Sequence, residues 1–428
     1  MKRTKGSILL GLCLITSPFV LFGQGDDPKL SESVRHHIPG AGFNLYDGEL
    51  GSVNFAVLAT MRYLNQLHID DTYTDSFGRE FTLDRRNDFQ FQKAVLYFKG
   101  WALDPKFRYL LYVWSANTSQ GLGAQVVVAG NLQYNFNKHL NLGIGINGLP
   151  TTRAMLGNWP LWLRQDSRPM AEEFFRGSYT SGIFLDGELF DGLFYRTMLG
   201  NNLSQLGIDA GQLDNGFDTW STALWWTTND FGKTASFGDF EHHDHIATIL
   251  GAAFTRSDET DQSQPGTEAP ENSQIRLADG TGVFSSRAFN DTSRVTKALY
   301  QMASFNTGVK FRGYSLDFEY YMRWVSDIQS VGDVGVEELF DQGFSLRGSS
   351  MILKEKLQVY ATYSYIDGEY GTPTELAVGL NWFILPSRFL RINPEVIFID
   401  RSPVGYLAYP TLVGATGTIF SLNLEMFL

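Results

Sequence analysis

Apolar and polar residues alternate with a period of two through most of the chain beyond residue 50. In Gly417–Leu428, Phe420, Leu422, Leu424, Met426 and Leu428 share one parity, while Ser421, Asn423 and Glu425 share the other. Successive side chains of a strand point to opposite faces, so this stretch predicts a strand with one apolar and one polar face. The segment Tyr314–Val325 repeats the pattern more strongly. Tyr314, Leu316, Phe318, Tyr320, Met322 and Trp324 alternate with Ser315, Asp317, Glu319, Tyr321 and Arg323. A one-residue slip would carry Asp317 and Glu319 onto the apolar face, which fixes the register. Alternation of this kind predicts sixteen strands between Gly51 and Leu428.

The joins between these strands alternate in length. Short turns such as Asn137-Lys138, Arg312-Gly313 and Leu385–Arg388 mostly follow even-numbered strands. Long connections, among them Gln66–Asp88, Gly148–Ser178, Asn201–Gly216 and Ser257–Lys297, follow odd-numbered ones. The join from the eighth to the ninth strand, around Gly232, is an exception in being longer. An even strand number with turns at one end and loops at the other predicts an all-β fold, a transmembrane antiparallel β-barrel with short periplasmic turns and long extracellular loops. Closure between the last strand and the first removes both sheet edges. Pro394 interrupts the fifteenth strand, where a bulge would accommodate it.

Composition adds to this picture. Aromatic residues make up 14% of the 428 positions and there are 43 glycines, a combination that favours strands and turns. Mean hydropathy is −0.15, which suits a barrel whose strands are half polar. Lys2, Arg3 and Lys5 precede an apolar run, Ile8–Phe22, so residues 1–23 read as a secretory signal peptide. Residues 24–50 read as an irregular N-terminal segment, and residues 51–428 as the barrel. The one cysteine, Cys13, lies in the apolar run, so the exported part needs no disulfide. The formal charge of −12 argues against a nucleic-acid partner. Outer-membrane lipid and small hydrophilic solutes are the partners expected of such a barrel.

Strand parity assigns candidate pore-lining residues. The basic set is Arg62, Lys93, Lys99, Arg108, Arg196, Lys310, Arg312, Arg323, Arg347 and Arg391; the acidic set includes Asp186, Glu188, Asp317, Glu319, Glu395 and Glu425. These charges either solvate a water-filled pore or, leaning basic, set a field that favours anions. The excess acidity then falls in loops, at Asp258, Glu259, Asp261, Glu268 and Glu271. The connection after the fifth strand carries Arg153, Arg164, Arg168 and Arg176 with Trp159 and Trp162. Folded into the barrel it would form a constriction with guanidiniums that bind anions; otherwise it is an exposed extracellular loop.

Several motifs point to other chemistry and are outweighed. Gly143–Gly148 matches GxGxxG but sits in an alternating strand followed by Pro150, without the helix a dinucleotide site needs. His242, His243 and His245 with Asp239, Glu241 and Asp244 read as a solvated turn before a metal site. No HExxH, P-loop or GxSxG motif occurs, so neither an enzyme nor a cofactor is expected; the alternatives to a passive porin are a substrate-specific uptake channel for an unidentified solute, with loop Tyr and Trp as binding surfaces, and after it a barrel-embedded enzyme.

The stretch from Gly143–Pro150 through Gly177-Ser178-Tyr179 and Asp186-Gly187 to Tyr195–Asn201 resembles the phosphate-selective porin O/P family. The resemblance extends diffusely over most of the chain beyond the signal peptide. It implies a sixteen-stranded outer-membrane porin, usually a homotrimer, that passes small anions such as phosphate. The chain departs from the family in two respects. Asp186, Glu188, Asp317 and Glu319 interrupt the expected ladder of basic residues, and the chain ends in Phe427-Leu428 where the family commonly ends in an aromatic residue.

Overall fold

The computed structural model describes residues 38–116, 125–204, 216–261, 275–286, 288–405 and 410–428. The signal peptide reading and the loop residues Glu268 and Glu271 lie outside them. Sixteen antiparallel strands form a closed barrel. They are β1 (Gly51–Ile69), β2 (Asn87–Ala102), β3 (Asp104–Ala116), β4 (Gln125–Asn137), β5 (Leu140–Gly148), β6 (Tyr179–Phe190), β7 (Leu193–Gly200) and β8 (Thr219–Thr227). The second half comprises β9 (Ala247–Thr260), β10 (Arg294–Phe311), β11 (Tyr314–Val331), β12 (Leu339–Leu353), β13 (Leu357–Asp367), β14 (Thr374–Phe383), β15 (Leu390–Asp400) and β16 (Gly417–Phe427). Each strand pairs with its sequence neighbour, and β16 closes on β1 in the register Asn423↔Arg62. Across that seam Arg62 Nε donates to Asn423 Oδ1 at 2.8 Å.

The two faces sort as the alternation predicts. In β16, Leu424 on the outside is 37% exposed while Glu425 on the inside is 1% exposed. In β11, Leu316 and Phe318 are exposed while Asp317, Glu319 and Arg323 are buried. Charged residues inside an apolar shell reverse the distribution of a soluble protein. Only a bilayer solvates such a surface, and closure leaves no backbone edge in the lipid.

Three features differ from the expectations. Phe43–Gly48, within the stretch read as irregular, is a short strand. It pairs with β1 from Phe43↔Phe55 to Gly48↔Gly51, on the edge that β16 leaves free beyond Leu58. Pro394 lies in regular register opposite Leu422 without a bulge. The side chain of Asn393 donates to the Leu380 carbonyl at 3.0 Å, supplying the donor that proline lacks. The eighth-to-ninth connection is no peripheral turn: Phe231, Ala235 and Phe237 are buried, and Ala235 and Ser236 accept hydrogen bonds from Arg153 inside the barrel.

The outward face supplies a direct test. Leu422→Arg puts a guanidinium near the middle of β16 on the lipid side. It is expected to destabilise the barrel by about 2–4 kcal/mol in equilibrium unfolding from lipid vesicles.

Candidate functional site

The connection between β5 and β6 folds into the barrel. It contains a 3-10 turn, Arg153–Met155, and a short helix, α1 (Met170–Phe175). Its arginines dictate the path, because a guanidinium taken out of water needs carboxylates around it. Arg153 Nη1 meets Asp317 at 2.6 Å, and its backbone N–H donates to Glu319 at 2.8 Å. Arg164 bridges Glu375 at 2.9 Å and Glu395 at 2.7 Å. From the wall, Arg347 pairs with Glu172 of α1. Arg391 pairs with Glu425 and donates to the Trp162 carbonyl at 2.6 Å. Arg62 donates to Gln165. The loop is thus tied to β1, β11, β12, β14 and β15.

The second inward segment, from β8 to β9, arrives from the turn end. Asp239 accepts from the backbone N–H groups of His243 and Gly313, docking the segment to the β10–β11 turn. His243 Nδ1 lies 2.5 Å from Asp239, and ligand atoms of Asp239, Glu241 and His243 lie within 4.8 Å of one another. Asp239 is a clasp whose oxygens are occupied by these donors. Phe237 packs with Ala154, Trp162, Leu163 and Tyr360, so the two inward segments share one apolar core. Toward the loop end, Phe174 and Phe175 pack with Phe284, Tyr300 and Tyr321.

A cavity of about 370 Å³ lies inside the barrel toward the β2–β7 wall. Lys93, Lys99, Arg168, Arg176 and Arg196 line it, with Asp166 as the one carboxylate among its lining residues. Lys93 pairs with Asp166 at 2.6 Å. Arg168 and Arg176 share Glu173, at 3.1 and 2.5 Å. Burial alone would raise the Glu173 carboxyl, but Arg176 and Arg168 outweigh it and hold it below the ordinary carboxylate value. Among the described residues, the Gly40 carbonyl is the one polar partner of the Lys99 ammonium. Arg196 approaches Gly157 of the inward loop, and its Nε has no partner.

Several expected positions are corrected by this geometry. Arg312 is not on the wall: with φ of 48° it forms the turn with Gly313, exposed and against the Phe311 ring. Arg108 lies exposed at the turn-end rim, donating to the Pro105 carbonyl. Glu188 also lies near that rim, accepting from the Gly192 N–H. Arg62, Lys310, Arg323, Arg347, Arg391, Asp317 and Glu319 point inward but are covered by the inward segments and lie away from the cavity. Lys310 donates to Ser236 at 2.9 Å, and Arg323 pairs with Asp341 at 2.6 Å. Arg153 and Arg164, expected at a constriction, are fasteners instead, because wall carboxylates capture them. Of the expected charged positions, Lys93, Lys99, Arg196, Arg168 and Arg176 reach the cavity, and Trp159 and Trp162 of the inward loop line it with them.

Sequence reasoning missed Asp166, Glu172, Glu173 and Glu375, the counter-charges that decide which arginines are free. It also missed the inward aromatic positions Tyr97, Tyr112 and Trp114. Their signal was present, since they share parity with Lys99 and Arg108.

This architecture, a closed sixteen-stranded antiparallel barrel with an inward loop beside a cavity, is a fold found among solved outer-membrane barrels. Among solved structures, OmpT of Vibrio cholerae superposes with a TM-score of 0.54 at 10% identity, covering 90% of this chain and 99% of that one. It has also been solved in a trimer form. An anion-selective porin from Comamonas acidovorans gives 0.53 at 10% identity, covering 88% and 98%. The channel DcaP of Acinetobacter baumannii gives 0.51 at 9% identity, covering 90% and 99%. No protein-family model matches the chain, and no curated protein matches it.

Arg164→Ala removes the guanidinium that bridges the buried Glu375 and Glu395. Uncompensated burial of this kind costs about 3–5 kcal/mol, enough to release the inward loop. Single-channel recording is expected to show larger and noisier conductance than wild type.

Proposed function

We propose that the chain is an outer-membrane porin through which small hydrophilic solutes diffuse, with a preference for anions and no chemical step. One observation carries this reading: the charged lining of the open cavity is five cations to one carboxylate, although the chain as a whole is acidic. In a water-filled passage with low-dielectric walls that imbalance raises the local concentration of anions. Salt screens surface charge beyond a Debye length of about 8–10 Å, whereas charges inside a narrow passage are screened less. Lys99 and Arg196 carry most of the field, because Asp166 and Glu173 offset Lys93, Arg168 and Arg176.

Phosphate is one permeant anion in this reading, supported by the resemblance to the phosphate-selective porins. The anion-selective Comamonas porin shares the fold and lends the same support. A homotrimer is the assembly proposed, supported by the same resemblance and by the trimer form of the Vibrio barrel.

In planar bilayers under a KCl gradient, the reversal potential is expected to lie toward the chloride equilibrium potential. Lys99→Gln with Arg196→Gln should move it toward zero by removing the two cations without a carboxylate partner. Absence of conductance would overturn the porin reading; cation selectivity of the wild type would overturn the anion preference.

A further inference from the structure

Resting on the channel reading, we infer that the route favours organic anions with a flat apolar body, of the aryl carboxylate class, over bare inorganic anions. The charge of the cavity accounts for an anion, but its walls are poorly suited to a hydrated inorganic one. Tyr112, Tyr97 and Phe427 form a continuous series of rings, with centroids 6.1 Å and then 5.9 Å apart. Phe427 is the last residue of β16, at the turn end of the barrel, so the series runs to the turn-end mouth. Farther in, Lys93 Nζ lies 5.0 Å from the Trp114 ring and 5.5 Å from the Trp159 ring. A hydrated phosphate or chloride gains nothing from such faces and is held away from them by its own water. A planar ring gains both from leaving water and from offset or edge contact with each aromatic in turn.

The free cations sit where they could hold the charged end of such a solute. Lys99 lies on the same face of β2 as Tyr97, two residues on, or about 7 Å along the strand. Arg196 lies three residues from the turn end of β7, as Lys99 does from that of β2. The two are therefore at similar depth. Among the described residues neither forms an ion pair, and the buried Nε of Arg196 has no partner. A guanidinium fork is matched to a planar carboxylate. The solute chemistry that satisfies rings and unpaired cations together is a carboxylate on an aryl ring. A neutral sugar would use the rings alone, and inorganic phosphate the cations alone.

The test uses full-length protein in planar bilayers, with benzoate, acetate, phosphate and maltose added in turn to a KCl bath. Benzoate is expected to interrupt the current at a concentration about tenfold below that needed for acetate or phosphate, the ratio given by roughly one ring contact. Tyr97→Leu with Tyr112→Leu should bring the benzoate-to-acetate ratio toward one. Equal potency of benzoate and acetate in the wild type, or block by maltose as strong as by benzoate, would overturn the inference. If the protein passes no KCl current the channel reading fails, and calorimetric titration of the detergent-solubilised protein then decides the inference separately. Benzoate binding tighter than acetate binding supports the aryl-anion site, and equal or absent binding overturns it.

Discussion

A guanidinium carried out of bulk water must find carboxylates, and that requirement organises the interior of this barrel. The wall presents Asp317, Glu319, Glu375 and Glu395 on the inward face of β11, β14 and β15. The β5–β6 connection answers with Arg153 and Arg164. Neither set is tolerable alone in a buried setting, since an uncompensated charge costs several kcal/mol. Together they pull the connection across the lumen toward one side. The apolar residues between the arginines then pack against the segment that enters from the turn end. Where the route remains open is a consequence of where these ties are made.

The same pairing explains why the channel reading does not follow from counting arginines. Most cations that face inward are neutralised and buried, and so contribute structure more than potential. The cations that line the cavity are a smaller group on β2, β7 and the inward loop, of which Lys99 and Arg196 have no carboxylate partner among the described residues. Location relative to a counter-charge, more than residue type, separates a selectivity residue from a fastener.

The barrel was legible in the sequence because its determinant is local. Parity along β11 and β16 reports which face meets lipid, and a slip of one residue is prohibitive. Even Phe427, which parity turns inward, is found there against Tyr97. The interior was legible only in part because it is built from non-local partners. Nothing near Arg164 in the chain announces Glu375 or Glu395, more than two hundred residues away. Arg312 was misassigned because parity was carried one residue past the end of β10, into a two-residue turn of left-handed conformation. The β8–β9 connection was passed over because its length was noted without its apolar residues Phe231, Ala235 and Phe237.

The inward loop buries the inward face of β11–β15, while the cavity beside β2–β7 stays open. Cys13 is the sole cysteine, so a Cys13→Ser background leaves each introduced thiol as the single reporter. Asn147→Cys lies on the cavity wall at a half-buried position, whereas Thr362→Cys lies on β13, 1% exposed beneath the loop. In bilayers, a charged water-soluble thiol reagent is expected to modify Cys at 147 quickly and reduce the current, and to leave Cys at 362 unmodified with its current unchanged. Rapid modification and block at both positions would contradict the account, because the lumen would then be open around its whole circumference.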